Sequence, residues 1–390
     1  MNHAADRGAG CYARSAALPS LSRRRFAGVL GGALGLAAVR SSAAAAREAP
    51  AGAVLVDLSS NENPYGPSAG ALEAMTRSQA VAGRYPDAAE KETIEAIARQ
   101  NGVPPDRVVL GCGSSEILRL CDSAFLGSGR TVVAAEPTFE AVLHYAKVTK
   151  AEPVKVPLTA DFRHDLSAMA RACDGRAGLV YVCNPNNPTG TIVTGDELLA
   201  FLAQVPPTTV VVVDEAYHHF VEAPAYRSAM EGLDRFPNLV VARTFSKVYG
   251  MAGMRLGYAV TSAANAEALR AQAAWSNANV AALAAARASL ADESLVARQR
   301  ERLNGTRRWL TAELAKDGRR SIPSEANFVM IDVGGDVKPL IAAFEARGIR
   351  VGRRFAAMPT WLRVTIGTPE ETQAFLRGLR ELVPARAAAA

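Results

Sequence analysis

The fold follows from the stretch Arg243-Thr-Phe-Ser-Lys-Val-Tyr-Gly-Met-Ala-Gly-Met-Arg-Leu-Gly-Tyr258. An apolar, strand-like run precedes this stretch. Two hydroxyl residues, Thr244 and Ser246, come just before Lys247, and Arg255 lies downstream. A lysine forms imines when its surroundings favour the neutral amine, and arginine and hydroxyl side chains donate hydrogen bonds to phosphate oxygens. The stretch therefore suits an imine-forming lysine beside a phosphate, although an ordinary surface lysine after a strand fits it equally well.

Strand-like and helix-like segments alternate through the first two-thirds of the chain. Strands are predicted at 108–110, 131–135, 178–183, 209–213, 239–242 and 256–260. Helices are predicted at 89–100, at 139–150 and at 196–204, and a further helix follows the cluster at 111–116 and ends at about residue 125. Apolar strands that alternate with helices are typical of a mostly parallel sheet covered by helices on both faces. Such sheets bind ligands at the carboxyl ends of their strands, where the polar clusters of this chain fall. The sequence thus predicts an α/β fold with one composite site.

The last third of the chain predicts a second, smaller α+β domain. Strands are predicted there at 326–332, 349–351 and 362–366, and helices at 293–316, 337–347 and 370–382. Alanine richness between the domains indicates helix propensity. The predicted organisation is a signal peptide at 1–46, an N-terminal arm of the small domain at 47–75, a large domain at 76–262, an interdomain helix at 263–292 and the small domain at 293–390.

The N-terminus has the pattern of a twin-arginine (Tat) signal peptide. Ser22-Arg-Arg-Arg-Phe26 precedes an apolar, glycine-rich run at 27–39 and small residues at 41–46, and the run is too short to span a bilayer comfortably. We expect export through the Tat machinery to the periplasm, with no stable membrane anchor. The first 46 residues hold six arginines and one acid, so the remainder keeps +1 of the net charge of +6. The basic charge therefore does not indicate a nucleic-acid partner.

Four cysteines remain beyond the signal segment: Cys112, Cys121, Cys173 and Cys183. Their spacing matches no zinc pattern, so no metal is expected. Each lies in or beside an apolar run, which favours buried free thiols, although an oxidising compartment would permit disulfides.

Four further features of the sequence are candidates for binding or catalysis. Gly113-Ser114-Ser115 opens a helix after a strand, where backbone N–H groups favour a phosphate, but an ordinary helix cap fits as well. Asp214 follows a run of valines and is drawn toward the core, so it needs a cationic or donor partner. A pyridinium nitrogen is one such partner, and a turn cap is the alternative. Asn187 lies between prolines, and Phe139 is either a stacking face for a planar ring or a core residue.

Taken together and in this order, these clusters resemble one family closely. The sequence is similar to the fold-type I pyridoxal-phosphate aminotransferases of class I/II, and in detail to the histidinol-phosphate aminotransferase group. The resemblance covers essentially the whole chain after the signal. The matching segments are 61–67, 84–86, 111–116, 136–139, 184–190, 214–217, 244–247, Arg255 and 361–367.

The resemblance implies a role for each matching residue. Lys247 would hold pyridoxal phosphate as the internal aldimine and move the reacting proton, Asp214 would keep the ring nitrogen protonated, and Tyr217 would contact the ring hydroxyl oxygen. Tyr85 would reach the cofactor of a neighbouring subunit, which implies a homodimer with shared sites. The implied cofactor-binding residues are Tyr85, Gly113, Ser114, Ser115, Phe139, Asn187, Asp214, Tyr217, Thr244, Ser246, Lys247 and Arg255, and the implied substrate-binding residues are Asn63, Arg353 and Arg363.

One departure from the family concerns the substrate side chain. The histidinol-phosphate enzymes usually carry an arginine where this chain has Gly352, so either Arg353 or Arg354 is left to meet an acidic side chain. We therefore expect an aminotransferase acting on an amino acid and a 2-oxo acid, without naming histidinol phosphate. A decarboxylase, β-lyase or racemase on the same fold is an alternative, and a non-catalytic ligand-binding or partner-binding protein is another.

Overall fold

A computed structural model describes residues 55–384 of the chain. The predicted signal segment, 1–46, lies outside the described residues. Within residues 55–384, no helix combines the length and the apolar character that crossing a bilayer requires.

A seven-stranded sheet forms the centre of the structure. Its strands are β2 (Val108–Gly111), β3 (Thr131–Glu136), β4 (Glu152–Pro157), β5 (Ala177–Cys183), β6 (Val210–Asp214), β7 (Leu239–Thr244) and β8 (Gly257–Thr261). Their order is β2-β8-β7-β6-β5-β3-β4, and β8 runs antiparallel to β2 and β7, opposite in direction to the other six strands. The predicted mostly parallel α/β sheet is confirmed.

Helices cover both faces of this sheet. The helices of this part are α1 (Ala69–Ser78), α2 (Asp87–Asn101), α3 (Ser114–Phe125), α4 (Ala141–Thr149), α5 (Leu166–Ala172), α6 (Gly195–Leu202), α7 (Ala263–Arg270) and α8 (Val280–Ala291). The valines of β6 show why both faces need cover: Val211 and Val213 join one apolar core and Val210 and Val212 the other, because successive strand residues point to opposite faces.

Two small sheets complete the described chain. They contain β1 (Val56–Leu58), β9 (Phe328–Asp332), β10 (Ile349–Val351) and β11 (Trp361–Thr365), with helices α9 (Leu295–Lys316), α10 (Val337–Glu345) and α11 (Pro369–Leu382). β1 pairs with β10 in parallel, and β9 pairs with β11 antiparallel. The pairing of β1 places the start of the predicted arm beside the C-terminal part of the chain.

The prediction of one helix over 263–292 is wrong. The segment contains α7 and α8, separated by residues 271–279. Ser276 adopts a left-handed backbone conformation with φ of 48°, and the Asn279 side chain accepts the N–H of Ala282 as the cap of α8. Alanine propensity favours helix on both sides, but an asparagine cap starts a new helix.

The described cysteines are free thiols. Cys121, Cys173 and Cys183 are buried and Cys112 is half-buried. Burial raises the pKa of the Cys121 and Cys183 thiols, which keeps them in the neutral form.

Candidate active site

A polar cavity of about 380 Å³ lies where the strands of the large sheet end, a volume in the range of small-ligand sites. It is lined by Ser60, Asn61, Glu62, Ser114, Ser115, Thr138, Phe139, Cys183, Asn187, Asp214, Ala216, Tyr217, Thr244, Ser246, Lys247, Ala252, Arg255, Arg353, Phe355 and Arg363. The clusters that follow β2, β3, β5, β6 and β7 all contribute. The cavity is thus the single composite site that the strand-end pattern predicts.

Lys247 extends into this cavity from the turn after β7. Its Nζ donates to the backbone oxygen of Asn61 at 2.9 Å and lies 3.3 Å from that of Ser60. Burial, and then the charge of Arg363, lowers the pKa of Lys247 to about 8. More of the amine is therefore neutral near physiological pH than in a free lysine, and the neutral amine is the state that nucleophilic attack on a carbonyl requires.

Asp214 ends β6 and is almost completely buried, with 2% of its surface exposed. Tyr181 donates its hydroxyl hydrogen to Oδ2 at 2.9 Å, and the N–H of Ala216 donates to Oδ1 at 3.0 Å. Burial raises the pKa of Asp214 to about 6, against the opposing effect of these two donors. A buried carboxylate held in this way is suited to a protonated ring nitrogen.

Tyr217 and Asn187 lie side by side at the cavity. The Tyr217 hydroxyl oxygen accepts from Nδ2 of Asn61 at 3.1 Å and from Nδ2 of Asn187 at 3.4 Å. The Asn187 side-chain oxygen accepts from Nη1 of Arg363 at 2.8 Å. These contacts orient the phenol and the amide toward the same small volume.

Hydroxyl and N–H donors form an anion cradle at the start of α3. Ser114 and Ser115 line the cavity there, beside Thr244 and Ser246. The Arg255 guanidinium lies directly over Gly113, whose φ is +82°, and a Cβ at Gly113 would overlap it. A positively charged guanidinium, two pairs of hydroxyls and a helix N-terminus suit a phosphate dianion.

Arg363 on β11 is 8% exposed. Its Nη2 donates to the backbone oxygen of Ser59 at 2.7 Å, and its Nε has no hydrogen-bond partner among the described residues. Burial lowers the pKa of this guanidinium, and Tyr217 opposes only part of that shift. An incoming carboxylate would supply the missing acceptor, which fits the substrate-binding role that the family resemblance implies for Arg363.

The segment 352–355 shows which arginine faces the cavity. A Cβ at Gly352 would lie 2.7 Å from the backbone oxygen of Arg363 and 2.9 Å from its Cβ, so a side chain there would displace Arg363. Arg353 lines the cavity. Arg354 does not line the cavity and pairs with Asp336, with Nε 2.9 Å from Oδ2, so Arg353 is the arginine of this segment that faces the cavity.

Three residues from the predicted set lie outside the cavity lining: Gly113, Asn63 and Tyr85. The prediction that Asn63 contacts substrate is not supported, since its Nδ2 donates to the backbone oxygen of Val248 at 3.0 Å and its Oδ1 accepts the N–H of Tyr65. Asn61, two residues earlier, lines the cavity instead. Tyr85 is 86% exposed and does not line the cavity of its own chain.

Sequence reasoning missed Asn61 and Tyr181. Asn61 belongs to the same Asn-Glu-Asn-Pro loop as Asn63, and its left-handed φ of 56° turns the loop so that Asn61 faces Tyr217. Asparagine tolerates that conformation better than most residues, but no local signal chooses between the two. Tyr181 lies inside an apolar strand, where a tyrosine is indistinguishable from a core aromatic.

The residues of the cavity fit pyridoxal phosphate. The cradle would hold its phosphate, Asp214 its ring nitrogen, Tyr217 and Asn187 its ring oxygen, and Lys247 its aldehyde carbon. When bound, the cofactor supplies an electron-withdrawing ring that makes the substrate α-carbon acidic.

The protein residues supply positioning and proton transfer. Arg363 would bind the substrate α-carboxylate through its unpartnered Nε, and Lys247 Nζ would remove a proton from the α-carbon once its amine is released. A pKa near the working pH suits that exchange.

Fold and site together define a pyridoxal-phosphate-dependent aminotransferase of fold type I. The chain belongs to the family of class I and II aminotransferases, which it matches over residues 53–379. The family match favours an aminotransferase over another pyridoxal-phosphate enzyme or a non-catalytic binding protein.

Three relatives illustrate the similarity. The chain is 39% identical to a histidinol-phosphate aminotransferase of Moorella thermoacetica, covering 84% of this chain and 86% of that one. It is 38% identical to an aromatic amino acid aminotransferase of Cutibacterium acnes, covering 84% and 92%. The structure resembles histidinol-phosphate aminotransferase from Sinorhizobium meliloti in complex with pyridoxal-5'-phosphate, with a TM-score of 0.80, 27% identity and coverage of 86% and 92%.

Proposed function

We propose that this aminotransferase acts on at least one amino acid or 2-oxo acid whose side chain carries a second anionic group. The observation that carries the proposal is the placement of two guanidinium groups against one aromatic ring. The central carbon of the Arg363 guanidinium lies 5.4 Å from the centre of the Phe355 ring, and that of Arg353 lies 4.3 Å from it.

The two arginines differ in burial and therefore suit different groups of the substrate. Arg363 is buried and suits the α-carboxylate that every amino-acid substrate carries. Arg353 is 54% exposed at its side chain and lies where a substrate side chain would extend. A carboxylate or phosphate at the far end of the substrate would meet Arg353, and planar guanidinium groups bind both anions with paired hydrogen bonds.

The names of the relatives are compatible with this class. Histidinol phosphate bears a phosphate, whereas aromatic amino acids bear none. Transamination joins two half-reactions in one site, so one anionic and one uncharged side chain can both be substrates. We propose the second anionic group for one of the two substrates that the enzyme binds in turn.

A panel of amino donors tests the proposal. Each donor is mixed with the holoenzyme, and the shift of the cofactor absorbance is followed in a single turnover. We expect Arg353→Gln to reduce the ratio of the single-turnover rate constant to KM about ten- to a hundred-fold for donors with acidic or phosphorylated side chains. This is the loss that a missing hydrogen bond to a charged group produces. Arg354→Gln is the matched control, since Arg354 pairs with Asp336.

Equal losses for acidic and uncharged donors in Arg353→Gln would contradict the proposed substrate class. Lys247→Ala tests the reaction itself and should abolish turnover on every donor. Full turnover in that variant would contradict the assignment of Lys247.

We also propose a homodimer with shared sites. The exposed Tyr85 supports it, because a large aromatic side chain 86% open to solvent is suited to a partner surface. Tyr85→Ala and Lys247→Ala proteins are each expected to be weak or inactive. Mixed dimers restore one site with both native residues, so activity should reappear on mixing if the sites are shared. A monomer in sedimentation, or no recovery in verified mixed dimers, would contradict this.

Export to the periplasm by the Tat route is proposed from the sequence of residues 1–46 alone. The test is a fusion of these residues to a folded reporter, followed by cell fractionation. Replacing Arg24 and Arg25 by lysine should hold the reporter in the cytoplasm, and unchanged export would contradict the proposal.

A further inference from the structure

One ion pair lies beside the cavity and involves the lining residue Arg353. Oε2 of Glu140 lies 2.6 Å from Nη2 of Arg353. Glu140 directly follows the cavity residue Phe139 and precedes α4, on the side of the seven-stranded sheet. Arg353 follows β10 in the smaller β1–β10 pair. The pair therefore joins the two parts of the chain that enclose the site.

We propose that Glu140 is a specificity-determining residue of this enzyme. It acts as an internal anion that pairs with Arg353 when the substrate side chain is uncharged and gives way when that side chain is anionic. This inference rests on the proposed function of Arg353. It adds a residue that neither the sequence motifs nor the cavity lining identifies.

The reaction cycle creates the need for such an anion. An aminotransferase binds two different substrates in turn in one site, so Arg353 faces an anionic side chain in one half-reaction and can face an uncharged one in the other. A guanidinium left without an acceptor beside an uncharged ligand loses hydration and gains nothing in return. Glu140 provides the acceptor for that half-reaction.

The geometry makes the exchange of partners easy. The two side chains are 58% and 54% exposed, and ion pairs in that setting are weak enough for a substrate anion to displace. Stacking on Phe355 holds the guanidinium plane at the cavity while its acceptor changes. The other polar contact of Arg353 is a 3.3 Å hydrogen bond to the backbone oxygen of Arg354, which either state can retain.

The neighbouring charges favour this assignment. Arg363 lies close enough to Arg353 for the charge of Arg353 to lower the pKa of Arg363. The two arginines together therefore attract anions to the cavity. Glu140 offsets part of that positive charge in the absence of substrate. Removing it should therefore shift the preference of the enzyme toward anionic substrates.

The test is Glu140→Gln in the holoenzyme, compared with Asp336→Asn, which removes the partner of Arg354. Two donors are used, one with an acidic side chain and one with an uncharged side chain of similar length. We expect Glu140→Gln to lower KM for the acidic donor two- to five-fold, about 0.4–1 kcal/mol at 1.4 kcal/mol per factor of ten. KM for the uncharged donor should rise or stay unchanged, and kcat should change little.

A ratio of the two KM values that is unchanged, or that moves the other way, would overturn the inference. The single variant Arg353→Gln separates this outcome from a failure of the proposed function, and the double variant Glu140→Gln with Arg353→Gln shows whether the effect of Glu140 depends on Arg353. If Arg353→Gln alone leaves the acidic donor unaffected, the proposed substrate class fails. If Arg353→Gln has its effect and Glu140→Gln alters no ratio, only the role of Glu140 fails. A Glu140→Gln effect that persists without Arg353 would also refute that role.

Discussion

Tyr181 donates a hydrogen bond of 2.9 Å to Asp214 across the neighbouring strands β5 and β6, and both side chains are buried. The bond lowers the pKa of Asp214, which burial alone would raise further above its present value of about 6. Tyr181 thus helps to keep the Asp214 carboxylate charged near neutral pH.

Tyr181→Phe should raise the pKa of Asp214 and weaken cofactor binding, because one of two donors to the carboxylate is lost. The acid limb of the pH profile of kcat/KM should move to higher pH. Asp214 must be charged to pair with the ring nitrogen. The variant should therefore lose activity at a higher pH than the parent as the solution is acidified. The measurement is kcat/KM from about pH 5 to about pH 9, beside the dissociation constant of the cofactor. Tyr145→Phe on α4 is the control, and an acid limb that stays in place would contradict the role.

Arg363→Lys should raise KM for amino-acid donors about ten- to a hundred-fold. The native guanidinium holds Asn187 and Ser59 while its Nε remains open to a substrate, and an ammonium cannot satisfy all three directions at once. Loss of a hydrogen bond to a charged group accounts for roughly 1.5–3 kcal/mol. Steady-state kinetics with an amino acid and with the corresponding amine without an α-carboxylate separate the causes. An equal loss for both donors would argue against a carboxylate clamp.

Gly113→Ala should weaken cofactor binding roughly ten-fold or more. A Cβ at this position overlaps the Arg255 guanidinium and forces it away from the cradle, at the cost of a charge-assisted contact to phosphate. Gly129→Ala is a matched control, since Gly129 has the same φ of +82° with nothing within 4 Å of its added Cβ. The readout is cofactor titration of the apoenzyme by absorbance. Equal affinity losses in the two variants would assign the effect to backbone strain.

Six of the seven strands of the large sheet could be predicted from sequence because they are largely apolar runs. Five of these strands, β2, β3, β5, β6 and β7, end in a polar cluster at the cavity, as the valines of β6 lead to Asp214, and the position of the site follows from that pattern. The edge strand β4 (Glu152–Pro157) was not predicted. It contains two prolines and exposed polar residues, which edge positions tolerate and which remove the apolar signal.

Other features depend on contacts between distant parts of the chain. Arg353 lines the cavity, whereas Arg354 is held away from it by its ion pair with Asp336. The burial of Asn63 is set by Val248, and the importance of Tyr181 is set by Asp214 on the next strand. No periodicity or spacing in the local sequence contains these pairings.

Glu215→Ala should reduce the free energy of unfolding by about 3–5 kcal/mol, because it leaves the buried Arg243 charge without its partner. The Glu215 carboxylate is 1% exposed and accepts from Arg243 at 2.7 Å, from Ser228 and from the N–H of Ala229. Urea unfolding of the holoenzyme measures the loss. Glu301→Ala removes an exposed ion pair and should cost at most about 1 kcal/mol. Similar losses in the two variants would contradict the structural role of Glu215.

Asp122→Asn should stabilise the protein more at alkaline than at acidic pH. Asp122 on α3 is fully buried, neither carboxylate oxygen has a partner among the described residues, and burial raises its pKa from 3.8 to about 8. Between those two values the folded state binds a proton that the unfolded state has released, so stability falls as the pH rises through that window. Asparagine does not titrate, and the difference in Tm between variant and parent should therefore grow from about pH 5 to about pH 8.5. A constant difference across that range would show that Asp122 is already charged in the folded protein.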